Sequence, residues 1–246
     1  MIGCLGAVDS GNTRTKWAVY SGEKLISHGF WLGDQPDFSS VPKNVLHWKL
    51  AGVHPHNVEA TRMALESIGR KCELIASPAS VGPLLDLENP EKVGIDRVAS
   101  AWAAWLRMGS VRDCLIVDMG TATTINWIDR RGVFRGGAIL PGINTMLKSL
   151  SEGTKLLPRI EPTEFDPNIA WPARKTSNAI MLGVIAAQTG AARQLLARAK
   201  AIVPDAALFL TGGDSRFLQD EVEGEFIRVE TLVLEGIARA GEKKHG

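Results

Sequence analysis

Residues 8–20 read VDSGNTRTKWAVY, and residues 117–127 read VDMGTATTINW. In the first stretch, Leu5 to Val8 is a short apolar run suited to a strand inside a sheet. The run ends on Asp9, and Gly11 follows, where the backbone can turn sharply or lie against a ligand with no β-carbon in the way. Asn12, Thr13, Arg14, Thr15 and Lys16 supply amide, hydroxyl and cationic donors before Trp17–Tyr20 resumes the strand pattern. A carboxylate at a strand end beside such a turn suits a phosphate held with a metal ion, although a plain β-hairpin with a polar turn reads the same. The second stretch repeats the design: a strand, Asp118-x-Gly120, a hydroxyl-rich turn from Thr121, and a return strand carrying Trp127. This repeat predicts an α/β protein of two related halves, 1–112 and 113–246, each opening with a β-hairpin whose turn faces a shared cleft.

Composition narrows the class. A chain of 246 residues with 45% hydrophobic and 22% charged residues has the make-up of a soluble globular protein of one large domain or two small ones. With 28 basic against 27 acidic residues, nothing resembles a nucleic-acid footprint. Cys4, Cys72 and Cys114 are odd in number and fit reduced thiols in a cytoplasmic protein. The N-terminus lacks a basic region, and no stretch approaches about 18 uncharged apolar residues, so neither a signal peptide nor a membrane span is expected.

Between the repeats, strands are expected at Lys24–Leu32, 47–53 and Cys72–Ala76, and a helix at Val58–Lys71. His54-Pro55-His56 reads as a loop, and no cysteine or acidic pair accompanies it to make a metal site. Gly94-Ile95-Asp96-Arg97 precedes an apolar helical run from Val98 to Met108, where Trp102 and Trp105 share a face suited to core packing or a subunit interface. Asp96 in isolation reads as an N-cap or first-turn carboxylate. After the second repeat, Gly136–Gly142 (GGAILPG) reads as a tight loop, or as backbone that approaches a ligand closely, ahead of a helix at Ile143–Leu150. A polar excursion follows at Ser151–Lys175, then a long helix at Thr176–Lys200 with Thr176, Ser177 and Asn178 as capping choices. Leu208–Leu210 is a strand running into Thr211-Gly212-Gly213-Asp214, with a helix expected beyond, and Glu230–Ala240 closes the chain as a helix.

Taken in order, residues 9–16, 94–97, 118–124, 136–142 and 211–214 resemble the motifs of type III pantothenate kinase. The resemblance implies two ribonuclease-H-like domains with ATP in the cleft between them, and phosphorylation of pantothenate as the activity. It implies a first phosphate-binding turn of Asp9, Ser10, Gly11, Asn12, Thr13, Arg14, Thr15 and Lys16, with Asp9 near Mg²⁺. Gly94, Ile95, Asp96 and Arg97 would line the pantothenate pocket, with Asp96 as general base. Asp118 would hold a monovalent cation, potassium or ammonium; Thr121, Gly212 and Gly213 would border ATP, and Thr176 would touch substrate. A homodimer is implied as well. Members commonly carry an aromatic residue before the Gly-x-Asp-Arg motif, where this chain has Leu87.

Other chemistries lack their residues. No Gly-Lys-Ser/Thr follows a glycine loop, which removes a P-loop kinase, and no Ser-His-Asp set is credible among the five histidines. Another small-molecule kinase of this fold, and a non-catalytic nucleotide-binding regulator, are the competing readings.

Overall fold

β1 (Cys4–Ser10) and β2 (Arg14–Ser21) form an antiparallel hairpin around Gly11 whose register sets Asp9 opposite Lys16 and Ser10 opposite Thr15. The computed structural model describes residues 3–11, 14–32, 36–52, 54–161, 169–218 and 226–242. β3 (Lys24–Leu32) continues the meander, while β4 (His47–Gly52) lies parallel to β1 and β5 (Lys71–Leu74) parallel to β4. A parallel pair needs a crossover, and α1 (Pro55–Ser67) supplies it between β4 and β5. The sheet order is β3-β2-β1-β4-β5.

The remaining strands are β6 (Leu84–Leu85), β7 (Cys114–Met119), β8 (Ala122–Ile128), β9 (Val133–Pro141), β10 (Ala207–Thr211) and β11 (Phe226–Arg228). They form a second sheet in the order β11-β10-β7-β8-β9-β6. Without β6, this is the first sheet again, with β9, β8, β7, β10 and β11 in the places of β3, β2, β1, β4 and β5. β10 and β11 are parallel, as β4 and β5 are. The duplicated sequence is therefore a duplicated topology, and the fold is α/β with two ribonuclease-H-like sheets.

By contact, the chain divides into two compact units. One holds Met1–Cys114, Trp127–Gly136 and Thr231–Gly246; the other holds Leu115–Asn126 and Gly137–Glu230. In the first unit, Val8, Trp17, Val19, Trp31, Trp48 and Leu50 meet Leu65 in a buried cluster. α2 (Ile95–Arg107) and α5 (Leu232–Ala238) cross so closely that a β-carbon at Gly236 would lie 1.9 Å from Ala99 O. Trp102 and Trp105 stack at 5.0 Å between ring centroids and are each 1% exposed, so both belong to the core of this unit. A buried Trp removes about 150–250 Å² from water, worth about 4–6 kcal/mol each before entropy is counted. Glu235 on α5, also buried, receives Arg107 Nη2 at 2.6 Å.

In the second unit, α3 (Ile143–Gly153) and α4 (Thr176–Ile202) pack around Ile143, Leu147, Ile180, Met181 and Val184. α4 has 27 residues and an 18-residue window of mean hydropathy 1.2, enough by length and composition to cross a bilayer. Here part of its apolar surface covers α3, and the buried Gln188 amide donates to Pro141 O.

Several boundaries differ from expectation for identifiable reasons. α1 begins at Pro55 with His54 as its N-cap, three residues before Val58, because proline at the first helical position needs no N–H partner. GGAILPG is not a loop through its length: β9 runs through both glycines to Pro141. Gly137, at φ +152°, lets β9 press on β8 so closely that a β-carbon there would lie 1.9 Å from Ile125 O. Lys175, not Thr176, caps α4, and no side chain bonds that cap. Beyond Gly213 the described chain makes a short 3₁₀ turn at Ser215–Leu218 rather than a helix, and α5 is confined to Leu232–Ala238.

Candidate active site

In the first unit, the β1–β2 hairpin has two chemically different faces. Ser10 and Thr15 are fully buried, and their hydroxyls bond each other at 3.2 Å. Asp9 and Lys16 project from the opposite side of the ladder, half-buried, as a cross-strand pair at the end of the sheet. Arg14 leaves the turn to stand over the Phe30 ring on β3, 5.0 Å from its centroid. A β-carbon at Gly11 would sit 3.1 Å from Arg14 O, so the turn is tight at that residue. Asn12 and Thr13 lie outside the described residues.

Gly94 is the N-cap of α2, and Ile95, Asp96 and Arg97 make its first turn. Asp96 folds back toward the cap: a β-carbon on Gly94 would stand 2.3 Å from Asp96 Oδ1. A carboxylate in that place faces the backbone N–H groups at the start of the helix. The Arg97 side chain lies over the Phe134 ring, 5.8 Å from its centroid. Burial draws the Arg97 guanidinium below its usual range, and the Asp96 charge acts in the opposite sense. Leu87 packs toward β9, where a β-carbon on Gly136 would come within 3.1 Å of its Cδ2.

In the second unit, three motifs far apart in sequence converge on one turn. Asp118 ends β7, half-buried, and Gly120 N donates to Ala122 O to close the hairpin. Thr121 O accepts from Gly142 N at 3.0 Å and from Thr145 Oγ1 at 2.7 Å. Met119 O accepts from Asp214 N at 3.0 Å, and a β-carbon on Gly212 would meet that same oxygen at 2.3 Å. Gly212 has φ +92°, a conformation glycine adopts without strain. At Gly213 a β-carbon would meet nothing within 4 Å, so backbone is open to an approaching molecule there. Thr176 lies on a mostly apolar groove of about 660 Å³ with Pro141, Met146, Leu150, Ile180 and Val184.

Each sequence-predicted residue within the described chain thus falls at a strand end, a tight turn or a helix start. The structure brings Thr121, Gly142 and Gly212 together, and it brings Thr176 to Pro141. Sequence reasoning missed Thr145 and Phe134. A hydroxyl in the first turn of α3 was the available signal for Thr145, and none marked Phe134.

Each unit by itself offers chemistry suited to phosphate and cations. Asp9 offers hard carboxylate oxygens beside the Lys16 cation, and the Gly212–Gly213 backbone offers close approach. Asp118 and the Thr123 hydroxyl of the same hairpin, buried and without a partner among the described residues, offer oxygen ligands suited to a monovalent cation. Among the described residues, no group of three or more His, Cys, Asp or Glu gathers as a metal site.

Comparison with known proteins decides the family. The family model of type III pantothenate kinase matches residues 6–198. The chain belongs to the type III pantothenate kinase family. A type III pantothenate kinase from Dechloromonas aromatica (strain RCB) is 34% identical over 251 residues, covering 96% of this chain and 97% of the relative. Among solved structures, a Campylobacter jejuni protein named for the Baf family of transcriptional activators superposes with TM-score 0.62 at 24% identity, covering 96% of each chain. A ROK family glucokinase from Streptomyces griseus, solved with glucose and AMPPNP, gives TM-score 0.55 at 13% identity, over 96% of this chain and 98% of the other. At those identities the two structures speak for the fold alone.

Proposed function

We propose that the protein transfers the γ-phosphoryl group of ATP to the primary hydroxyl of pantothenate, giving 4'-phosphopantothenate for coenzyme A biosynthesis. The observation that carries this reading is family membership over nearly the whole chain, with every motif of the resemblance present in order. Phosphoryl transfer asks for positioning and charge neutralisation more than for covalent catalysis. Lys16 and the backbone amides of the turns supply positive charge toward the phosphates. Asp9 is the residue to hold Mg²⁺, whose chemistry is to neutralise charge on the transferring group. Asp118 is the ligand for potassium or ammonium, and Gly212, Gly213 and Thr121 border the nucleotide.

On the acceptor side, Gly94, Ile95, Asp96, Arg97 and Thr176 contact pantothenate. Asp96 accepts the hydroxyl proton as the new O–P bond forms and the bond to the departing ADP breaks. A carboxylate suits this role, because the hydroxyl becomes strongly acidic only late in the transfer. Arg97 adjoins Asp96 in the same first turn of α2. The halves 1–112 and 113–246 are the two copies of the repeat, and a homodimer in the cytoplasm is part of the same reading.

The test is ADP release by the purified protein with and without pantothenate, in potassium and then in sodium buffer. The reading requires pantothenate-dependent ADP formation that falls when sodium replaces potassium. Turnover independent of pantothenate, or none, removes it.

A further inference from the structure

β6 has no counterpart in the first sheet; it is an addition to the repeated topology. It is two residues long, Leu84 pairing with Val133 and Leu85 with Phe134. So short a strand holds little by itself, and the residues after it carry more of the attachment. Asp86 N donates to Phe134 O at 3.0 Å. Arg135 Nη1 donates to Asp86 Oδ2, while its Nε and Nη2 donate to Asp129 Oδ2 at 2.9 and 2.6 Å. Asp129 is itself fixed in the β8–β9 turn, accepting from the backbone N–H groups of Arg131 and Val133 at 2.9 and 3.0 Å. Arg135 therefore bridges a rigid turn on one side and the 84–87 segment on the other.

What that segment carries gives the bridge a consequence. Leu87 lies against Gly136, and Arg97 of the Gly94–Arg97 turn lies over Phe134. Residues 134–136 are thus a common floor: Phe134 beneath Arg97, Arg135 clamping Asp86, and Gly136 beneath Leu87. We propose that Arg135 is a positioning residue for the acceptor pocket, holding residues 84–87 on β9 so that Leu87 and Arg97 are presented side by side to the alcohol substrate. This rests on the reading of Gly94–Arg97 as the acceptor site. Arginine suits the task because its planar fork donates to two carboxylates at once, which a lysine ammonium cannot reproduce with the same geometry.

The test uses Asp86→Asn in the full chain, which removes the charge from only the solvent-facing half of the bridge and leaves the Asp129 turn intact. Asp86 is 64% exposed, so the effect is that of a screened pair. KM for pantothenate should rise about two- to fivefold, while kcat and KM for ATP stay constant. Asp86→Glu should bring KM back toward the wild-type value. Hydrogen exchange on the same proteins gives a readout independent of turnover: amides 84–87 should exchange several-fold faster in Asp86→Asn, with α1 unchanged. Unaltered exchange over 84–87, or a parallel rise in KM for ATP, overturns the proposal. Failure of the pantothenate kinase reading shows differently, as absent pantothenate turnover in the wild type, and the exchange result still decides the role of Arg135.

Discussion

Gly94 leaves room for Asp96: any β-carbon at 94 would stand 2.3 Å from Asp96 Oδ1. The glycine has φ −63° and ψ 135°, angles open to every residue, so space rather than backbone freedom explains it. Gly94→Ala should therefore fold as well as wild type, with an unchanged melting temperature, while the displaced carboxylate lowers kcat about ten- to hundredfold. Melting curves alongside steady-state rates test this, and unimpaired turnover would show that the back-folded carboxylate has no part in the reaction.

Asp96→Asn keeps the shape and removes the proposed proton acceptor. The expected loss in kcat is about 10²- to 10⁴-fold, with ATP affinity by calorimetry changed little. Full activity in this variant rejects Asp96 as base.

Gly212 and Gly213 separate structural from ligand roles. Alanine at 212 meets both a left-handed φ of +92° and Met119 O at 2.3 Å, and should cost about 2–4 kcal/mol in urea unfolding. Alanine at 213 meets nothing within 4 Å, so stability should hold while nucleotide affinity falls. Equal stability in both variants would contradict the packing at Met119.

Glu235 is 3% exposed and tied to Arg107, which is itself about two-fifths exposed. Glu235→Gln keeps the volume and leaves the guanidinium without its counter-charge. Because water reaches Arg107, the expected loss is about 1–3 kcal/mol, below that of a fully buried pair. Urea titration measures it.

Burial alone would raise the Asp129 carboxyl, but N–H donors from Val133, Arg135 and Arg131 outweigh it and hold the group below its usual range. Its folded pKa lies under its unfolded one, so its contribution is complete above about pH 4 and fades as pH falls through the folded value. Asp129→Asn should therefore be less stable than wild type at pH 7, with the gap closing toward about pH 3. A gap that stays constant with pH would mean the carboxylate's charge is not what stabilises the turn.

Much of this architecture was readable because hairpins announce themselves locally. Val8-Asp9 and Val117-Asp118 each end an apolar run, and each is followed by a glycine turn, so both hairpins and their kinship needed only neighbouring residues. β6 was not readable, since Leu84–Leu85 has no period of its own and pairs only because Val133 and Phe134 offer an edge. β9 was half-read: glycine usually punctuates, yet Gly136 and Gly137 are inside a strand, with β8 too close for a side chain at Gly137 and Leu87 pressed against Gly136. The convergence of Gly142 and Gly212 on Met119–Thr121 likewise depends on partners remote in sequence, which no local pattern names. Asp96 was found by motif; the space Gly94 gives it became visible only with side chains in place.

α5 has a consequence for how the protein is made. Its residues lie against α2 and β1, and Tyr20 on β2 donates to Thr231 O just before the helix begins. On the ribosome the earliest strands are therefore synthesised long before the segment that covers them, and they wait for it exposed. A chain truncated before residue 231 would leave open the surfaces of α2 and β1 that α5 covers, and cellular proteolysis would be expected to remove it.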